Sequence, residues 1–174
     1  MFTPRIAPLA ADPDIVGALT ELLIEVVANG GSVSFMHPLA RDTATSFWRE
    51  SLGRAAAGGR VVLGAWDGAD LVGTVTLDLA TPENQPHRAD IAKLMVRVSH
   101  RGRGIGRALM QAAERIAVSR GRTLLTLDTA VEDGAASLYE GLGYVRAGMI
   151  PGYALKPHGG LTGTIIYFRH IGGA

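Results

Sequence analysis

Residues 99–117, "SHRGRGIGRALMQAAERIA", constrain the chain more than any other stretch. An apolar run, "KLMV", ends shortly before three glycines, Gly102, Gly104 and Gly106, which alternate with Arg101, Arg103 and Arg107. The stretch then turns amphipathic, with Ile105, Ala108, Leu109, Ala112 and Ile116 at helical spacing and Gly121 marking the end. A strand, a glycine loop and a helix start leave backbone N–H groups free. Here guanidinium groups surround them, and no acid occurs between Arg97 and Gln111. Such a place suits an anion with several oxygens.

Two familiar phosphate loops do not fit. A dinucleotide fingerprint counted from Gly102 needs glycine at position 107, which is arginine, and no Gly-Lys pair followed by Ser or Thr is present. The net charge is only +1, so the basic loop is a local feature of one domain, expected to span residues 1–174. The arginine-glycine run is short and lacks interleaved aromatics, which argues against a nucleic-acid partner. The absence of cysteine excludes disulfides, thiolate zinc sites and a cysteine acyl-enzyme. The five histidines show no H-x-x-x-H spacing, so no metal site is expected. Prolines break the opening "MFTPRIAPLAADPDI", and no later apolar run reaches membrane length. The expectation is a cytoplasmic protein with no membrane partner.

Around the loop, elements alternate without linker or repeat. "RIAPLA" reads as a strand; Asp12-Pro13 caps a helix with Ile15, Leu19, Leu22, Leu23, Val26 and Val27 at helical spacing. "LARDTATSFWRESLGRAAAG" reads as a second helix. "RVVLGAW" and "DLVGTVTLDLA" form a hairpin through Asp67-Gly68, and "HRADIAKLMVRV" is the strand before the glycine loop. "TLLTLDT" is a strand, "VEDGAASLYEGLG" a helix, and "YVRAGMI" and "TGTIIYFRHI" the last strands. The expected fold is α/β, with a single mixed, largely antiparallel sheet of six to seven strands flanked by helices.

The pattern Arg101-Gly102-Arg103-Gly104-Ile105-Gly106, after a strand and opening a helix, resembles the coenzyme loop of the GCN5-related N-acetyltransferases. "AASLYEGLGYV" is similar to that family's last helix. Within the family, "NGGSVSFM", "HRADIAKLMV", "LDT", "PGY" and "IIYF" look like the tabtoxin-resistance relatives. The resemblance implies acetyl-CoA as co-substrate, gripped at its pyrophosphate by Arg101, Gly102, Arg103, Gly104, Ile105, Gly106 and Arg107. Its pantetheine arm would run beside Leu94, Met95 and Val96, with Ser137 a further coenzyme contact. Glu132 stands where the family often has asparagine, although Thr129-x-x-Glu132 reads as a capping box.

The resemblance implies acetyl transfer by direct attack onto the amine of a small amino-acid-like molecule, with toxins and antibiotics among the candidates. Protein N-terminal or lysine acetylation, and a non-catalytic acyl-CoA-binding module, are the alternatives. A backbone N–H from Leu94 to Val96 would face the oxyanion. Tyr139 matches the family's general acid, against a plain core aromatic beside Leu138 and Leu142. The base is Asp90 or Asp128. Asp90 lies six residues before Val96, on the same strand face if no bulge intervenes, and Asp128 ends the next strand, where an apolar cleft would bury it. A solvated strand start for Asp90 and a helix cap for Asp128 are the structural readings. Gly31, Phe35 and His37 in one loop and Tyr153 in another are the acceptor contacts the resemblance implies. The protein would work as a monomer or homodimer.

Overall fold

A computed structural model describes residues 3–172, so residues 1, 2, 173 and 174 of the expected domain lie outside the described ones. The elements follow in the order β1 (Arg5–Pro8), α1 (Pro13–Ala28), α2 (Arg41–Ala56), β2 (Arg60–Asp67), β3 (Asp70–Asp78), β4 (Arg88–Val96), α3 (Ile105–Ser119), β5 (Leu124–Ala130), α4 (Ala136–Glu140), β6 (Val145–Leu155) and β7 (Leu161–His170). The seven strands form one sheet in the order β1-β2-β3-β4-β5-β7-β6, in which only β4 and β5 run parallel. That is the expected mixed, largely antiparallel sheet with helices on both faces.

Local chemistry accounts for most boundaries. The Asp12 carboxylate accepts the Asp14 amide at 2.9 Å, and Pro13, which lacks an N–H, opens α1. Gly121, at φ 71°, closes α3 with its N–H on the Val118 carbonyl. α2 has no side-chain cap and is held by burial instead, with Trp48 and Ala44 fully enclosed. One expectation fails here. Thr129 stays in β5 and Ala135 is the N-cap of α4, so the Thr129–Glu132 capping box does not form. Glu132 pairs with Lys156 at 3.0 Å instead. α4 itself is only five residues long, because Gly134 at φ 68° and Gly143 at φ 86° bracket the run.

The two faces of the sheet carry separate cores. Leu19, Leu22, Leu23, Trp48 and Met95 pack together beneath α1 and α2. Ile105, Leu109, Met110, Leu125, Leu127 and Tyr139 pack on the α3 side. α3 lies so close to the sheet that a Cβ on Gly73 would come within 3.0 Å of the Met95 carbonyl and 3.1–3.2 Å of Ile105 and Leu109.

The register between β3 and β4 jumps from Thr74↔Met95 to Thr76↔Ala92, so Lys93 and Leu94 together face a single residue, Val75. This β-bulge reverses the alternation of side chains along β4. Before it, Ala89 and Ile91 point to the α3 side; after it, Leu94 and Val96 do so, and Met95 turns to the α1 side. Lys93 takes the left-handed conformation, φ 52°. Beyond the bulge the strand is anchored to α1: Arg97 meets Glu25 at 2.6 Å, and the Val98 amide donates to the same carboxylate at 2.8 Å.

Gly73→Val should force α3 away from the sheet. Overpacking of this kind costs about 1–3 kcal/mol, a fall in Tm of about 3–10 °C for a domain of this size, to be read by thermal unfolding.

Candidate active site

β4 and β5 are paired only from Arg88↔Leu124 to Asp90↔Thr126 and then part. The V-shaped gap between them forms a cleft of about 480 Å³, walled by Ile91 to Val96 on one side and by Asp128, Thr129, Leu138 and Tyr139 on the other. Gly31 to Ser34, from the loop joining α1 and α2, roof it, and Arg101 and Gly106 stand at the glycine-loop end. A larger, open hollow of about 940 Å³ lies between α3 and the end of β7, where two of the lining residues, Arg169 and Glu114, pair with each other at 2.6 Å.

The glycine loop is built for close approach to its backbone. Gly102 and Gly104 have φ of 75° and 80°, and the space that a Cβ would occupy on either is open. The first bond of α3 is donated by Ala108 to the Gly104 carbonyl, so the amides of Ile105, Gly106 and Arg107 at the helix start have no partner within the helix. The side chains of the loop divide. Arg101 lines the cleft, with Nε 3.4 Å from the Val96 carbonyl, and Arg103 is exposed. Ile105 is buried in the core and offers only its N–H. Gly106 permits contact with α4, since a Cβ there would lie 3.3 Å from Leu138. The Arg107 guanidinium donates to the Gly141 carbonyl at 3.2 Å and braces the end of α4.

The carboxylates separate. Asp128 lines the cleft, with Oδ2 accepting the Thr164 hydroxyl at 3.0 Å. It is exposed, so the expected apolar burial is not met. Asp90 does not line the cleft. The bulge breaks the alternation on which its placement with Val96 depended, and the two side chains face opposite sides of the sheet. Asp90 sits at the paired end of the strands, where Arg88 and the Thr126 hydroxyl engage its carboxylate.

Tyr139 both lines the cleft and packs in the core. It is 6% exposed, and its ring lies 6.0 Å from Tyr144 and 5.7 Å from Tyr167. Burial, reinforced by the nearby charges of Asp133 and Asp128, pushes its phenol up to about 12. The remaining expected contacts are dispersed. Gly31 is in the roof, where a Cβ would strike Val26 at 2.4 Å. Phe35 stacks edge-on against Phe47 at 5.2 Å, behind the cleft wall. His37 packs against His158, 4.5 Å between rings, and Tyr153 is exposed on β6; neither lines the cleft. Ser137 is exposed on α4 and is also absent from the lining.

Sequence reasoning missed Lys93, Ser34 and Asp133, all of which line the cleft. Burial lowers the Lys93 ammonium from its ordinary value; Asp128 opposes that shift and Arg60 adds to it. Partial dehydration raises the Asp133 carboxyl, opposed by the Ser32 backbone and Arg101. A lysine inside "KLMV" looks like one more residue of an alternating strand, and only the bulge reveals where it points.

A model of the acetyltransferase (GNAT) family matches residues 28–144, the stretch that holds the cleft wall, the glycine loop and Tyr139. The chain belongs to the GNAT acetyltransferase family. N-acetyltransferase 8B of Rattus norvegicus is 34% identical over 86 residues, 48% of this chain but only 39% of that protein. The fold of this GNAT chain is similar to that of yncA from Salmonella typhimurium, solved with its cofactor acetyl-CoA (TM-score 0.78, 16% identity, 97% and 95% of the two chains covered). It is equally similar to a ribosomal-protein-alanine N-acetyltransferase from Brucella melitensis (TM-score 0.79, 20% identity, 96% and 99% covered). No helix among the described residues of this GNAT chain is long and apolar enough to cross a membrane.

The Tyr139 phenol should stay protonated throughout the range in which GNAT activity would be assayed. Its raised value favours the neutral form, so the phenolate absorbance lost in Tyr139→Phe should be negligible at about pH 10 and emerge only toward about 12. A lost phenolate with a midpoint near 10 would show an unburied ring.

Proposed function

We propose that this chain is an acetyl-CoA-dependent N-acetyltransferase that moves an acetyl group by direct attack to the amine of a small amino-acid-like acceptor. The observation that carries the reading is the parting of β4 and β5, which joins the glycine loop at one end to Asp128 and Tyr139 at the other. The quoted motifs keep toxin or antibiotic acceptors of the tabtoxin-resistance kind within this reading. A cytoplasmic monomer or homodimer, one domain over residues 1–174, completes it.

The residues fit the coenzyme. Open backbone at Gly102 and Gly104, three helix-start amides and Arg101 together suit a diphosphate. The edge of β4 from Ile91 onward has no β5 partner, so its backbone is free to pair with an extended amide-bearing arm. When bound, acetyl-CoA supplies an activated thioester. An N–H of the Leu94–Val96 stretch donates to the oxygen on which charge develops. Asp128, exposed on the cleft wall, attracts the ammonium of the acceptor and orients the water through which its proton leaves. Tyr139 donates a hydrogen bond to the leaving sulfur from its neutral phenol. Full transfer to a thiolate whose conjugate acid lies at about 8.5 would run uphill from a phenol at about 12. Asp90 acts at one remove, holding Thr126 and the strand end beneath Asp128.

Release of free CoA in the presence of a panel of small amines tests the reading. Binding of acetyl-CoA without turnover of any amine would identify a coenzyme-binding module, and turnover of peptides alone a protein acetyltransferase. Gly104→Glu places a side chain and a negative charge in the diphosphate cradle. It should abolish the rise in Tm that acetyl-CoA gives the wild type, and an unchanged shift in a folded variant would remove the loop from coenzyme binding.

The two aspartates should differ. Asp128→Asn is expected to lower kcat/KM for the amine about 10²-fold, and raised pH should partly restore it by supplying free amine. Asp90→Asn should cost less than about tenfold, as for the loss of one supporting hydrogen bond. A double variant far less than multiplicatively worse than the single ones would mean that the pair acts as one unit.

A further inference from the structure

Lys93 has no part in the acetyl transfer described above, yet its placement is unusual. It is one of two lysines in the sequence. Among the described residues only two non-glycine residues have positive φ, Ser34 at 75° and Lys93 at 52°. These two are hydrogen-bonded to each other, Lys93 Nζ to Ser34 Oγ at 3.0 Å. Left-handed backbone is costly for residues with a Cβ, and it persists where surrounding structure over-determines it, often at a binding site. Here it comes twice, from loop and strand, on one side-chain pair.

The bulge decides where the ammonium goes. Unbroken alternation would send the Lys93 side chain with Ala89 and Ile91 into the α3 core. Instead it emerges on the α1–α2 side, where the rings of Phe47 and Phe35 lie 5.6 and 6.0 Å from Nζ. It lines the cleft that also holds Asp128. No carboxylate among the described residues forms an ion pair with Lys93, nor any cation with Asp128. Their charges interact across the cleft without contact. A half-buried cation and a carboxylate left apart on the same side of the sheet match a molecule that brings one charge of each sign.

We propose that Lys93 and Ser34 form the subsite for the acceptor's own carboxylate, so that the substrate is a free amino acid whose amine is presented to Asp128. The inference rests on the acetyl-transfer reading and sharpens it. A peptide N-terminus or a protein lysine has its carboxyl consumed in an amide and offers nothing for Lys93 to hold. The Ser34 hydroxyl, already ordered by the ammonium, supplies a second donor for the carboxylate. The aromatic pair behind Nζ fixes the ammonium in place without neutralising it, which a carboxylate partner would do.

The test is CoA release with a panel of L-amino acids, each run beside its carboxamide and a dipeptide that begins with the same residue. The free acid should exceed the carboxamide in kcat/KM by about 10- to 100-fold, the span expected for charge-assisted hydrogen bonds. Lys93→Gln should bring that ratio close to one, mainly by raising KM for the acid, and Lys93→Arg should preserve part of it. Ser34→Ala, in the α1–α2 loop and not on β4 itself, should reduce the same ratio and guards against misfolding of the bulge variant. Equal use of acid and carboxamide by the wild type overturns the subsite, as does an unchanged ratio in folded Lys93→Gln and Ser34→Ala. CoA release with carboxamides or dipeptides alone leaves acetyl transfer standing and removes only this inference. No release with any amine removes both.

Discussion

Two residues of β4 set against one residue of β3 are the constraint on which the rest of the molecule depends. The bulge at Lys93 and Leu94 changes the phase of β4, so that the half before it faces one core and the half after it faces the same core with the opposite parity. A left-handed non-glycine residue costs about 1–3 kcal/mol. The ends of the strand hold it there: Thr126 and Arg88 engage Asp90 at the start, and Glu25 grips Arg97 and Val98 at the finish. Between these two fixings the strand parts from β5. The cleft is therefore a consequence of register, not of missing side chains.

The sheet also separates two chemical environments. On the α3 side lie the helix start, the glycine loop and the aromatic packing around Tyr139, which together favour a large anionic partner and a neutral phenol. On the α1–α2 side lie Lys93, Ser34 and Asp128, a small zwitterion's worth of charge under a loop roof. Only where β4 and β5 part do the two sides communicate. Catalysis in such an arrangement depends on positioning more than on any single strong acid or base.

Much of this was legible in the chain. Helical spacing, Asp12-Pro13, Asp67-Gly68 and Gly121 each encode a local preference that the fold keeps, and the glycine loop opens α3 as its alternation with arginine suggested. What failed depends on partners distant in sequence. Counting residues along β4 gives Asp90 the face of Val96, and counting fails at a bulge that shows only in the register against β3. Thr129 and Glu132 have the spacing of a capping box, but Thr129 is held in β5 opposite Ile165, so the helix starts later. Lys93 carries no signal at all, because a left-handed lysine is written with the same letter as an ordinary one. Ser137 and Tyr153 came from family likeness alone, and neither borders the cleft.

The roof of the cleft is tied to a second loop. The His37 amide donates to the Pro157 carbonyl at 2.9 Å, His158 meets the Ala28 carbonyl at 3.0 Å, and the two imidazoles face each other. The α1–α2 connection and the β6–β7 turn are thus one mechanical body, although more than a hundred residues separate them. A change in one loop is felt by the other, so exchanges in the two loops should be non-additive in their effect on stability.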